Sequence, residues 1–148
     1  MNHSGASDPT EAEIVQYIVN TFPGVETITN LGYTFFFYSD ERMLAFVTIA
    51  SSGNEYEKIS NLDRLGVFRL NIGVSKQTFH SLFGASPVKR DNYDYTALDT
   101  IMPHPDYAAQ SFICVLNPSK QTFERVQTFL AEAYALARSH AARRAKTE

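Results

Sequence analysis

At 148 residues, with 44% hydrophobic and 20% charged side chains, the chain is long enough to bury a core of its own and too apolar to stay disordered. Its one cysteine excludes an internal disulfide, and a net charge of −3 has the wrong sign for a general grip on DNA. No apolar run is long enough to span a bilayer and no secretory leader is visible, so a cytoplasmic protein is expected.

Residues 1–7 are small and polar and read as a disordered leader; residues 8–148 read as a single α+β domain. The first helix is expected from Asp8, as cap, with Pro9 at its first position and Glu11 completing a capping box, and Pro23-Gly24 stops it. Ile14, Tyr17 and Ile18 share one of its faces. Residues 25–31 alternate as a strand does, and a turn at 30–32 leads into the aromatic strand 33–38, whose rings are expected in the core. A polar connection follows at 39–42. Residues 44–50 are apolar enough for a central strand, and the polar stretch 51–61 reads as the loop most free to vary.

Residues 66–74 form the clearest strand, with Val67, Arg69 and Asn71 on one side and Phe68, Leu70 and Ile72 on the other. Ser75 looks like the cap of a short helix that Gly84 ends. Residues 87–94 are turn-rich, 95–102 could be helical or extended, and Pro103-His104-Pro105 forces extended backbone. A strand over 111–116 carries Cys114, read as a buried, unreactive thiol. Asn117-Pro118 is expected to open a long helix with Phe123, Val126, Leu130, Ala133, Tyr134 and Ala137 inward, fraying beyond Ala141. Consecutive strands with short links favour an antiparallel sheet, one face covered by the two amphipathic helices.

Chemistry is sparsely signalled. There is no Gly-rich phosphate loop, nucleophile elbow, zinc-protease helix or Cys pair, and no His, Cys or carboxylate set at ligand spacing, so neither metal nor cofactor is expected. Two clusters stand out. Arg69 and Asn71 are either part of a solvated face, with Arg69 paired to an acid such as Asp63, or contacts for an anionic or amide-bearing ligand. His104, stiffened by two prolines and followed by Tyr107 and Gln110, either closes a turn or contacts a ligand. His80 reads as half-exposed helix surface, and Asp91, Asp94 and Asp99 as loop carboxylates without the glycine of a calcium loop.

The runs Gly66-Val67-Phe68-Arg69-Leu70-Asn71-Ile72-Gly73-Val74, Met102-Pro103-His104-Pro105 with Tyr107 and Gln110, and Val115-Leu116-Asn117-Pro118-Ser119 together resemble an uncharacterised bacterial domain family of unknown function. The likeness runs from Glu13-Ile14 to the Glu132-Ala133-Tyr134 stretch. More distantly, the element order resembles MmcQ/YjbR-like proteins, which implies an antiparallel α+β fold likened to a double-wing DNA-binding arrangement. The basic residues here gather at the end instead: residues 118–148 hold six against three acidic, +3, and the rest seven against thirteen, −6.

The expected function is therefore a non-catalytic domain binding a small molecule or a protein partner, monomeric or homodimeric, with Arg69, Asn71, His104, Tyr107 and Gln110 around one pocket. DNA binding through the last helix, by Arg138, Arg143 and Arg144, is the second reading. A small enzyme with His104 as acid or base is the third.

Overall fold

The computed structural model describes residues 7–39 and 44–147, with side chains as far as residue 145. Residues 1–6 of the expected leader and residues 40–42 of the polar connection lie outside that set.

Helix α1, Glu11–Thr21, starts later than expected because Thr10 and not Asp8 is its cap. The Glu13 amide donates to the Thr10 hydroxyl at 3.1 Å and the Thr10 amide to the Glu13 carboxylate at 2.9 Å, so both halves of the capping box are made, two residues further along than expected. Asp8 serves another helix: its carboxylate accepts from the Lys120 amide at 2.9 Å.

The strands are β1 Val25–Asn30, β2 Tyr33–Tyr38, β3 Val47–Ala50, β4 Arg69–Gly73, β5 Met102–Pro103 and β6 Phe112–Leu116. They form one sheet in the order β1-β2-β3-β4-β6-β5, and every neighbouring pair is antiparallel. The strands expected over 44–50 and 66–74 are both shorter. At the second, the Phe68 amide leaves the ladder and donates to the Asn117 side chain at 2.9 Å. Helix α2, Lys76–Phe83, is capped by Ser75 as expected and ends at Gly84.

Helix α3, Lys120–Thr147, is not opened by Asn117-Pro118. Asn117 has φ 41° and is tied to the start of β4, so the cap passes to Ser119, whose hydroxyl accepts from Thr122 at 3.2 Å. The Ser119 amide donates to Asp99 at 2.7 Å, which makes that loop carboxylate a second cap. The helix continues past Ala141, to Thr147.

Alternation along the strands sorts the interior into two parts. On one face Phe36, Ile49, Leu70 and Ile113 meet Ile14 and Ile18 of α1 and Val126, Leu130 and Ala133 of α3. Each such side chain removed from water contributes about 1.5–3 kcal/mol. On the other face a smaller core holds Ala50, Leu62, Met102, Cys114 and Leu116. Residues 51–66, which take in the polar stretch 51–61 read as a loop, fold back over this second face and bury Leu62 and Ser60 completely. The side that carries Arg69 and Asn71 is consequently not solvated; each is 1% exposed.

Candidate functional site

The second face is divided by a buried polar chain. Arg69 of β4 pairs with Ala50 of β3. Its acid is Glu57, at 2.5 Å from Nη2, and not the Asp63 expected. The Tyr33 hydroxyl also donates to Glu57, and burial together with this bond holds the phenol above its usual pKa. Arg69 Nη1 donates to the Ser60 hydroxyl at 3.0 Å and Nε to Asn71 Oδ1 at 2.9 Å. Asn71 Nδ2 then donates to the Thr48 hydroxyl at 3.0 Å. A buried guanidinium needs a counter-charge and a partner for its N–H groups, and this chain supplies both.

Beyond Thr48 the face opens into a concave pocket of about 450 Å³. Phe35 and Phe37, two residues apart on β2, stack at 6.3 Å along one wall. Phe112, at the start of β6, forms the opposite wall. Between the walls lies Gly73, the β4 partner of Phe112, where a Cβ would come within 2.9 Å of the Phe112 ring. Its missing side chain lets that ring lie across β4. Leu44 and Ala45 close one end.

His104, Tyr107 and Gln110 line the same pocket. The two prolines hold His104 extended, and its amide donates to the Phe112 carbonyl at 2.9 Å. The chain then turns, and the amides of Asp106 and Tyr107 both donate to His104 Nδ1, at 2.9 and 3.0 Å. Nδ1 is thus an acceptor, and the proton of the neutral ring sits on Nε2. Burial, followed by the nearby charges of Arg69 and Arg90, lowers the imidazole from 6.5 to about 3. The rings of His104 and Tyr107 lie 4.9 Å apart, with Phe112 at 6.4 Å from each. Tyr107 is half-exposed at the rim and Gln110 is exposed.

The five residues singled out from sequence therefore share one side of the sheet in two layers. His104, Tyr107 and Gln110 reach the pocket; Arg69 and Asn71 lie beside it, engaged with Glu57, Ser60 and Thr48. Phe35, Phe37, Thr48 and Phe112 were not among them. Their signal was in the sequence: aromatic residues at both parities of β2 put rings on both faces, and only one face has helices to cover it.

The remaining candidates sit elsewhere. Cys114 is buried, and burial pushes its thiol up to about 12, which leaves it unreactive. Arg138 lies over the Tyr134 ring at 5.8 Å, and Arg143 and Arg144 are exposed on α3. No cluster of metal-ligating side chains occurs among the described residues, and no described helix is long and apolar enough to cross a membrane.

No curated protein and no solved structure matches the chain. The family comparison is positive: a family model for a family of unknown function, DUF6194, matches residues 9–146. That span takes in the caps Thr10, Ser75 and Ser119, all six strands and the whole pocket, and the chain belongs to this family.

Proposed function

We propose that the chain is a non-catalytic binding domain whose ligand is a small, largely apolar molecule held in the pocket of the second sheet face. The observation that carries this reading is the pocket itself. Its volume of about 450 Å³ lies within the range of small-molecule sites, and it joins aromatic walls to a few fixed polar groups, the combination such sites use. Arg69 and Asn71 act as support beneath it. They orient Thr48 and do not touch the ligand.

Binding fits the geometry better than catalysis does. An imidazole 5% exposed, with Nδ1 given to two amides, is uncharged at neutral pH; its Nδ1 lone pair is engaged, and its one proton, on Nε2, is far too weakly acidic to serve as a general acid. Among the described residues no cysteine, lysine or carboxylate lines the pocket to work beside it.

The test is a thermal-shift screen of neutral ring-containing metabolites, followed by titration of the hits. Ligands selective for the native state raise the melting temperature. Phe35→Ala, which removes a half-buried wall, is expected to weaken every true hit about tenfold, the loss from one aromatic contact, while the unliganded protein still melts cooperatively. Hits whose affinity ignores Phe35→Ala sit elsewhere and would refute the assignment.

A further inference from the structure

Two polar groups of this pocket, Thr48 and His104, have hydrogen-bonding directions that are forced, and for Thr48 the forcing starts at a side chain that can only donate. Arginine has no acceptor, so the atom of Asn71 facing Arg69 Nε at 2.9 Å must be its carbonyl oxygen. The Asn71 amide nitrogen is then the atom facing Thr48, at 3.0 Å, and it too can only donate. The Thr48 oxygen must accept, which leaves its one proton to be given away. Thr48 lines the pocket. On the other side, the backbone amides of Asp106 and Tyr107 oblige His104 Nδ1 to accept, so the ring's remaining polar group is an Nε2–H donor.

These donors carry no net charge. The Arg69 cation is balanced by Glu57 at 2.5 Å, and among the described residues none that lines the pocket is acidic or basic apart from the neutral His104. A carboxylate placed here would lose its hydration without gaining a counter-ion, and an ammonium would meet donors at Thr48 and His104 and find neutral acceptors only at the exposed Tyr107 and Gln110. A neutral carbonyl gains both donors at a small desolvation cost.

We propose that the pocket selects ligands bearing a neutral hydrogen-bond acceptor, a ring carbonyl above all, on an apolar body, because Thr48 and His104 face it as uncharged donors whose polarity Arg69 and the 105–107 backbone fix. This rests on the small-molecule reading above and names the ligand class.

Four probes of similar shape test it by protein-observed NMR titration: 1-tetralone, tetralin, 1-naphthoate and protonated 1-aminotetralin. The ketone is expected to bind about tenfold tighter than the hydrocarbon, the worth of one to two net hydrogen bonds, and tighter than either ion. Asn71→Asp reverses the relay without touching the pocket wall, since a carboxylate beside Thr48 takes the hydroxyl proton. It is expected to cut the ketone-to-hydrocarbon ratio to about threefold, the share left to His104 alone, whereas Thr48→Ser preserves the full ratio. If Asn71→Asp does not fold, Thr48→Val makes the same prediction by deleting the donor. Equal binding of ketone and hydrocarbon by the wild type, tighter binding of either ion, or a full ratio that survives loss of the relay would overturn the assigned ligand class while leaving the pocket in place. Failure of all four probes, tetralin included, to shift the pocket resonances would overturn the pocket and this inference together.

Discussion

His104 shows how one side chain can be placed by its neighbours and yet report on the whole protein. Its ring bridges two amides and is shut from water, so the folded state accepts it only uncharged, with a pKa of about 3, while the unfolded chain protonates it near 6.5. The folded value lies below the unfolded one. Between pH 6.5 and 3 the unfolded state therefore binds more protons, and stability falls as the pH drops, by about 1.4 kcal/mol per unit once well inside that window. At pH 5 the loss from this group is about 2 kcal/mol relative to pH 7. Asn is the informative replacement, because its Oδ1 can accept from the same two amides and it does not titrate. Urea denaturation at pH 7 and pH 5 should show the wild type losing about 2 kcal/mol more than His104→Asn. Equal losses would mean that the imidazole is protonated freely in the folded protein. The prolines on either side were legible in the sequence as a device for fixing this ring. What they fix it against was not, because the Phe112 carbonyl and the burial of the ring come from strand pairing.

The helices and strands were legible where their determinants are local. Alternation gave the two sides of β4, and Ser75 and Gly84 gave both ends of α2. Misreadings arose where a residue with strong local credentials is held by a distant partner. Asp8 looks like a cap and is one, but for a helix 112 residues away. Asn117 precedes a proline as a helix cap would, yet it fastens β6 to the approach of β4, its Oδ1 accepting from the Phe68 amide and its Nδ2 donating to the Gly66 carbonyl, each at 2.9 Å. It does so with φ 41°, a conformation that asparagine tolerates better than most residues. Asn117→Ala removes both bonds and keeps the unfavourable φ, so a loss of about 2–4 kcal/mol is expected. Asn117→Gly removes the bonds and relieves the φ, and should lose about 1 kcal/mol less. Denaturation midpoints for the two variants separate these contributions. An alanine variant no less stable than the glycine one would show that the backbone there is unstrained.

At the scale of the molecule, the sheet has two differently made sides. The first is sealed by α1 and α3 with a large, continuous apolar cluster. The second is sealed by irregular chain, residues 51–66 above all, around a much smaller cluster and a charged pair. That polar stretch resembles an exposed loop because most of its side chains do face water; its hold on the sheet rests on Leu62, Ser60, the links of Glu57 to Arg69 and Tyr33, and bonds from Ser51 and Asn54 to the Gly32 carbonyl, each at 2.9 Å, which composition does not reveal. Its internal backbone bonds close turns, as from Asn61 to Lys58 and Val67 to Arg64, and few apolar contacts stand behind them. Segments of this kind open at lower free energy than the strands they cover. Native-state hydrogen exchange in rising urea should therefore find the amides of residues 54–67 exchanging through an opening that costs at least about 2 kcal/mol less than the opening that frees β4 and β6. Glu57 leaves Arg69 in that opening, so the relay to Thr48 depends on the cover staying closed. A compound seated in the pocket through Thr48 should in consequence slow exchange in 54–67 without touching those residues. Exchange in that segment at the same free energy as β4 would instead make cover and sheet one cooperative unit, and the distinction between the two sides would fall.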